Sequence, residues 1–189
     1  MITFLIPSIN RPTLCRALQS LTAQSDCDWR AIVIYDGFYC NPNYQDPRVS
    51  WTWIYPKLGT GNAAAGVRGK GLPMARTEWV GFLDDDDTVD YRYTAWLKEA
   101  AIKHPDVDVF IFRMQEHSPV GAIIPAQEIT KPEELALGKV GISFAIKADV
   151  LRGVEWGSNW CEDWDLISNL LSSGKRIVIL PHTAYHVRW

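Results

Sequence analysis

Trp79-Val80-Gly81-Phe82-Leu83-Asp84-Asp85-Asp86-Asp87 is the stretch on which the reading of this chain turns. Its first five residues form a short apolar run of the kind that makes a buried strand. Four adjacent carboxylates follow at once. At an effective dielectric of ~20, two like charges about 5 Å apart repel by roughly 3 kcal/mol. Such a cluster persists cheaply only where water solvates all of it or a cation neutralises it. Here an apolar strand delivers it to the end of a sheet, which favours the cation. In extended backbone residues i and i+2 point the same way, so Asp84 and Asp86 can converge on one locus. Hard carboxylate oxygens suit Mg²⁺ or Mn²⁺, and these ions commonly complete their shells with phosphate oxygens. The plainer alternative is an acidic turn in which Asp87 or Asp90 caps the next helix, and a lone Asp-x-Asp does not decide between the two.

Upstream of that run, Thr3-Phe4-Leu5-Ile6 reads as a buried strand stopped by Pro7, and Leu14, Ala17, Leu18 and Leu21 keep helical spacing after Pro12 or Thr13. Ala31 to Tyr35 is a β-branched apolar run closed by Asp36-Gly37, and Val49 to Tyr55 alternates as a third strand. Asn62 to Arg76 is rich in Gly and Ala and reads as a loop entering a helix. Strand and helix in this order imply parallel pairing with right-handed crossovers. Ligands of such open sheets sit beyond the carboxyl ends of the strands. Pro7-Ser8, Asp36-Gly37 and Asp84 to Asp87 all fall at those ends.

Downstream the pattern is less regular. Tyr91 to His104 reads as a helix with Asp90 as its N-cap, and Val107 to Phe112 as a strand. Gly121 to Ile124, Ile142 to Ile146 and Ile177 to Leu180 are further strand candidates. Asp163 to Ser173 is an amphipathic helix stopped by Gly174.

With 189 residues, 47% of them hydrophobic, the chain can bury a substantial core, and it shows no repeat, linker or low-complexity stretch. One domain is expected over 1–189. A formal charge of -3 without any basic stripe argues against nucleic acid as a partner. The four cysteines show no Cys-x-x-Cys pair and read as free thiols in a reducing compartment. No segment approaches the roughly 20 apolar residues of a membrane span, and Ile2 to Ile6 is too short for a signal core. A cytoplasmic location is expected, with peripheral association with a membrane left open.

The acidic run has company. Ile6-Pro7-Ser8-Ile9-Asn10-Arg11-Pro12, then Leu14, Leu18, Ser20-Leu21 and Gln24, then Val33-Ile34-Tyr35-Asp36-Gly37, then Gly81 to Asp87, resemble the family 2 glycosyltransferases of the GT-A fold. Cys161-Glu162-Asp163-Trp164 looks like the family's Glu-Asp motif. The resemblance covers most of the chain, strongly in its first half and weakly over residues 105–140. It implies an α/β three-layer sandwich with a mostly parallel central sheet. Residues 1–100 would be the nucleotide-binding half and 101–189 the acceptor-binding half.

The resemblance also implies inverting transfer from a nucleotide-diphosphate sugar, a UDP- or GDP-sugar, to a carbohydrate or glycoconjugate hydroxyl, with Mn²⁺ or Mg²⁺. Asp84 would touch the ribose, Asp86 the metal, Asp163 would be the general base and Glu162 its neighbour. Pro7, Ser8, Arg11, Asp36, Arg68 and Asp85 would complete the donor side. One position departs from the family: Tyr35 stands where it usually has an Asp that contacts the base. Either Tyr35 stacks on the base or Asp36 takes over the hydrogen bond.

Several readings stay paired with plainer ones. Asp163 opens a helix, where the dipole favours its charge, so it is either base or cap. The tail from Pro181 to Arg188 offers His182 and His186. The metal reading takes His186 as ligand and Arg188 as a diphosphate contact, and the plain reading leaves both histidines on the surface. Trp156 and Trp160, among the nine tryptophans, are either a platform for an acceptor sugar or core. Lys70 and Arg76 are solvated or assist phosphates. Two other functions compete. A nucleotidyltransferase would show a Gly-rich loop after the first strand, which Ile6 to Asn10 lacks. A non-catalytic sugar- or nucleotide-binding module would bind donor without consuming it.

Overall fold

The computed structural model describes residues 1–39, 44–59, 64–117, 121–154 and 161–187. β1 (Ile2–Ser8) is buried along its whole length. Phe4, Leu5 and Ile6 have no solvent exposure, and each such side chain contributes about 1.5–3 kcal/mol of apolar burial. A strand covered on both faces needs layers above and below it. Tyr93 packs edge-on against Phe4 with ring centroids 5.3 Å apart. On the other face, a Cβ at Gly71 would stand 2.3 Å from Ile34 and 3.3 Å from Leu5. Neighbouring strand residues point to opposite faces, so helices cover both sides and the chain forms a three-layer α/β sandwich.

α1 (Leu14–Thr22) buries Leu14, Ala17, Leu18 and Leu21, one face of a 3.6-residue period. β2 (Trp29–Asp36) and β3 (Val49–Ile54) follow, then α2 (Ala65–Gly71), β4 (Trp79–Phe82), β5 (Thr88–Val89) and α3 (Tyr93–Lys103). β6 (Val109–Glu116), β7 (Ile123–Ile124), β8 (Phe144–Lys147), α4 (Glu162–Ser172) and β9 (Ile177–Val187) complete the order. The sheet runs β3-β2-β1-β4-β8-β6-β9-β5, with β7 against β6. β1 pairs in parallel with β2 and β4, and β2 with β3. β8 lies antiparallel between β4 and β6, and the β6–β9 ladder is again parallel. Most of the register is therefore parallel, and the C-terminal ends of β1, β2, β4, β6 and β9 share one edge.

Three local expectations change. α3 begins at Tyr93 with Arg92 as N-cap, while the Asp90 carboxylate accepts the Arg92 amide at 2.9 Å from a turn one step earlier. α4 is preceded by Cys161, which places Asp163 inside its first turn and not at the cap. The C-terminal tail is not a tail: β9 continues through Pro181 to Val187. Proline cannot donate to a ladder and is tolerated at bulges. The register steps from Ile111↔Ile179 to Arg113↔Thr183, so the extra residues of β9 around Pro181 are absorbed by such an irregularity.

Candidate active site

Three strand ends build the site. β1 ends in Pro7 and Ser8, β2 in Asp36, and β4 runs through Leu83 into the acidic turn; a cavity of about 110 Å³ lies between them. Gly37 makes the exit from β2 possible. Its φ of +87° is a left-handed conformation, and an added Cβ would stand 2.6 Å from the Cβ of Lys57. Only glycine suits both demands, and that close approach brings Lys57 into the cavity wall. Asp36 secures the same corner, its two oxygens accepting the amides of Leu58 at 2.7 Å and Gly59 at 2.8 Å. Tyr35 is 3% exposed and packs against Trp51 and Phe38. It belongs to the core and is not available to stack on a base.

The four aspartates divide by exposure. The side chains of Asp84 and Asp86 are 35% and 37% exposed, and that of Asp85 only 2%. The exposure pattern alternates as the sequence suggests, but in a turn closed by the Asp87 amide on the Asp84 carbonyl and not in extended backbone. Asp85 turns back into the protein, where it accepts from Ser8 Oγ at 2.7 Å, the Ile9 amide at 3.3 Å and Arg11 at 2.7 Å. It touches the cavity with both oxygens already engaged. Arg11 also pairs with Asp86 at 3.0 Å, and Arg16 donates to the Asp86 carbonyl at 2.9 Å. Burial lifts the Asp86 carboxyl above its ordinary range against the pull of Arg11, and Asp84 and Asp85 add to the lift. The ends of the turn meet at Tyr185, whose hydroxyl accepts the Asp84 amide at 3.1 Å and donates to Asp87 at 2.9 Å. Asp87 is thus held by a phenol and does not cap a helix.

Arg68 joins this turn to the Glu-Asp pair. It is buried on α2 and forms ion pairs with Asp84 and with Glu162. Burial opposes its charge, but Asp84, Glu162 and Asp163 outweigh that and hold the guanidinium above its ordinary range. Burial also raises Glu162, against Arg68 and with help from Asp84. Asp163 is pushed up to about 7 by burial, opposed by Arg68 and reinforced by Glu162 and Asp84. Glu162 Oε2 and Asp163 Oδ1 are sealed from solvent and accept no hydrogen bond among the described residues. An unpartnered buried carboxylate oxygen is costly, and a hydroxyl placed beside it would relieve that cost.

Other candidates lie apart. His182 stacks flat on Trp96, with centroids 4.2 Å apart. His186 meets His117, with ring nitrogens 3.4 Å apart, and strand alternation sends it the opposite way from Tyr185. Lys70 and Arg76 are exposed. Trp156, Trp160 and Arg188 lie outside the described residues. Among the described residues no three His, Cys, Asp or Glu side chains converge as a metal-holding group. The residues present do fit an ion that keeps most of its shell for phosphate and water. Asp84 and Asp86 each spend one oxygen on an arginine and keep a second, and Mg²⁺-like ions are commonly held by one or two carboxylates plus substrate phosphates. Tyr185 and Lys57 escaped sequence reading. Lys57 carried a usable signal, since it closely follows a strand end at the ligand edge. Tyr185 carried none, because it sits within a strand.

The sequence profile of Glycosyl transferase family 2 matches residues 3–152. The chain belongs to that family. No curated protein matches this family 2 chain by sequence. Among solved structures, that of S. aureus TarS superposes with a TM-score of 0.77 at 17% identity, covering 100% of this chain and 36% of that one. S. aureus TarS 1–349 in complex with UDP gives 0.75 at 16% identity, over 98% of this chain and 60% of that one. TarS 1–349 in complex with UDP-GlcNAc gives 0.73 at 17% identity, over 98% and 58%. This family 2 chain therefore spans less than two thirds of these structures, and the likeness establishes the GT-A fold. No helix among its described residues is long and apolar enough to cross a membrane.

Proposed function

We propose that the chain transfers a sugar from a nucleotide-diphosphate sugar to a carbohydrate or glycoconjugate hydroxyl, inverting the anomeric centre. The observation that carries this reading is the buried guanidinium of Arg68, which ties a donor-side carboxylate, Asp84, to the Glu162-Asp163 pair. A donor in the cavity would thereby lie beside a sealed carboxylate of raised pKa. UDP is the favoured nucleotide, because the TarS 1–349 structures include complexes with UDP and UDP-GlcNAc.

In this reading Pro7, Ser8, Arg11 and Asp36 shape the nucleotide pocket, Lys57 lends positive charge, and Asp84 faces the ribose and diphosphate. Asp85 acts through Ser8 and Arg11 by fixing their positions. Asp86, with Asp84 beside it, would hold Mn²⁺ or Mg²⁺, which supplies charge neutralisation to the departing diphosphate. His186 joins that set only by turning away from His117. The Asp163 carboxylate takes the proton of the acceptor hydroxyl as the hydroxyl oxygen attacks the anomeric carbon, and the nucleotide diphosphate departs from the opposite face. A carboxylate titrating near neutrality is well matched to general-base work, which contributes about 10² to 10⁴ in rate. Glu162 orients the acceptor. Residues 1–100 thus serve the donor and 101–189 the acceptor.

Donor turnover tests the reading. UDP release from a panel of UDP- and GDP-sugars, with carbohydrate acceptors and with or without Mn²⁺, should show metal-stimulated consumption of one donor. Retention of nucleotide without any consumption would make the chain a binding module instead.

A further inference from the structure

We infer that Tyr185 is the positioning residue that sets the acidic turn for donor and metal, an inference that rests on the donor-site reading above. Tyr185 comes from β9, about a hundred residues downstream of the turn, and is fully buried. Its one hydroxyl serves both ends of the four-residue turn: it accepts the Asp84 amide at 3.1 Å and donates to Asp87 Oδ2 at 2.9 Å. The Asp87 amide in turn donates to the Asp84 carbonyl at 3.1 Å. With Asp84 and Asp87 pinned together, the two middle residues diverge. Asp85 folds inward onto Ser8 and Arg11, and Asp86 is left facing out beside Arg11.

The backbone around Tyr185 holds the phenol in place. β5 follows the turn directly and pairs with β9 through Thr88↔His186 and Val89↔Tyr185, and the Asp90 amide donates to the Ala184 carbonyl at 2.9 Å. The turn is therefore bracketed by β1 on one side, through Ser8, and by β9 on the other, through Tyr185. A peptide amide and a carboxylate oxygen would both lose their shared partner with the hydroxyl, while the ring could still fill its place. Tyr185 does not line the cavity, so its part is to hold the shape of the turn that carries Asp84 and Asp86.

Tyr185→Phe in the full chain tests this, with UDP affinity measured by calorimetry with and without Mn²⁺. We expect Mn²⁺-dependent UDP affinity to fall at least about tenfold while metal-free UDP affinity stays within about twofold. Ile179→Val, a core change on the same strand and away from the turn, provides the control for general destabilisation and should move neither affinity. Equal losses with and without Mn²⁺ would show a general structural role and overturn the inference, as would no loss at all. A wild-type chain that binds UDP no better with Mn²⁺ overturns the metal reading itself, and the inference falls with it. Should the Phe variant fail to fold, hydrogen exchange in the wild type reads the contact directly. Strong protection of the Asp84 amide supports it, and exchange at the rate of an unstructured peptide overturns it.

Discussion

Between Ile2 and Phe82 every strand joins its sheet neighbours in parallel until β8 intervenes, whereas from Val109 on parallel and antiparallel partners alternate. The two regions therefore deliver side chains to the shared edge in different ways. In the first, each strand ends at the ligand edge, so the residues that follow a strand in sequence are the residues of the site. In the second, a helix start (Glu162, Asp163) and a mid-strand side chain (Tyr185) arrive by tertiary packing. In the function proposed above, donor binding draws on the first region and proton transfer on the second. Arg68 is the covalently first-region residue that binds both.

The sharpest way to break that division is Asp163→Asn. The amide keeps the shape of the helix start but cannot take a proton. Transfer should fall about 10²- to 10⁴-fold, while calorimetric UDP affinity, a property of the first region, stays unchanged. A parallel loss of both would show that the regions do not divide the labour. Arg68→Met tests the link. Removing one partner from a buried charge network costs about 3–5 kcal/mol, because the carboxylates left behind lack a counter-charge. Urea unfolding should show the larger loss at pH 8 and a smaller one at pH 6, where Asp163, pushed up to about 7, can escape repulsion by taking a proton.

The pH profile sharpens the same point with opposite signs for activity and stability. Asp163 titrates at about 7 in the folded chain against an ordinary value of 3.8. As a base it works only when deprotonated, so kcat/KM should climb with pH and level off above about 7. For stability the raised value acts the other way. Between about pH 4 and about pH 7 the folded chain keeps a proton that the unfolded chain has lost. This contribution is fully present below that window and lost as pH rises through it. Asp163→Asn should flatten both curves.

The strands of the first region are readable in the sequence, because buried parallel strands and the motifs at their ends are local patterns. That Asp84 and Asp86 are exposed and Asp85 hidden matches the alternation read from the sequence, although a turn beyond the strand end produces it. Tyr35 misled for a physical reason. It stands where the family usually has an Asp that contacts the base, but the aromatic neighbours Phe38 and Trp51 claim its ring. The strand pattern of β9 stops at Leu180, since Pro181 and the polar residues after it break it, yet the strand runs on to Val187. Only a long-range partner, β6, with a register shift opposite Pro181, makes it continue. The role of Tyr185 was illegible because both groups it binds are a hundred residues away.

The smallest test compares how the two regions pack. Gly71 and Gly141 look alike as sequence, and a Cβ at either would meet a side-chain carbon 2.3 Å away. At Gly71 that carbon is Cδ1 of Ile34, with Leu5 at 3.3 Å, both held in the parallel core between α2 and the sheet. A β-branched side chain locked between strands cannot swing aside, so Gly71→Ala should cost about 1–3 kcal/mol by overpacking. At Gly141 the carbon is the terminal methyl of Met114, on β6. Methionine has three rotatable bonds and adapts to irregular gaps, so Gly141→Ala should cost less than about 1 kcal/mol, the range for repacking without strain. Thermal melts of the two variants measure the difference. Equal losses would mean that the mixed-topology half is packed as rigidly as the parallel half, and that its irregular pairing leaves it no more room to adjust.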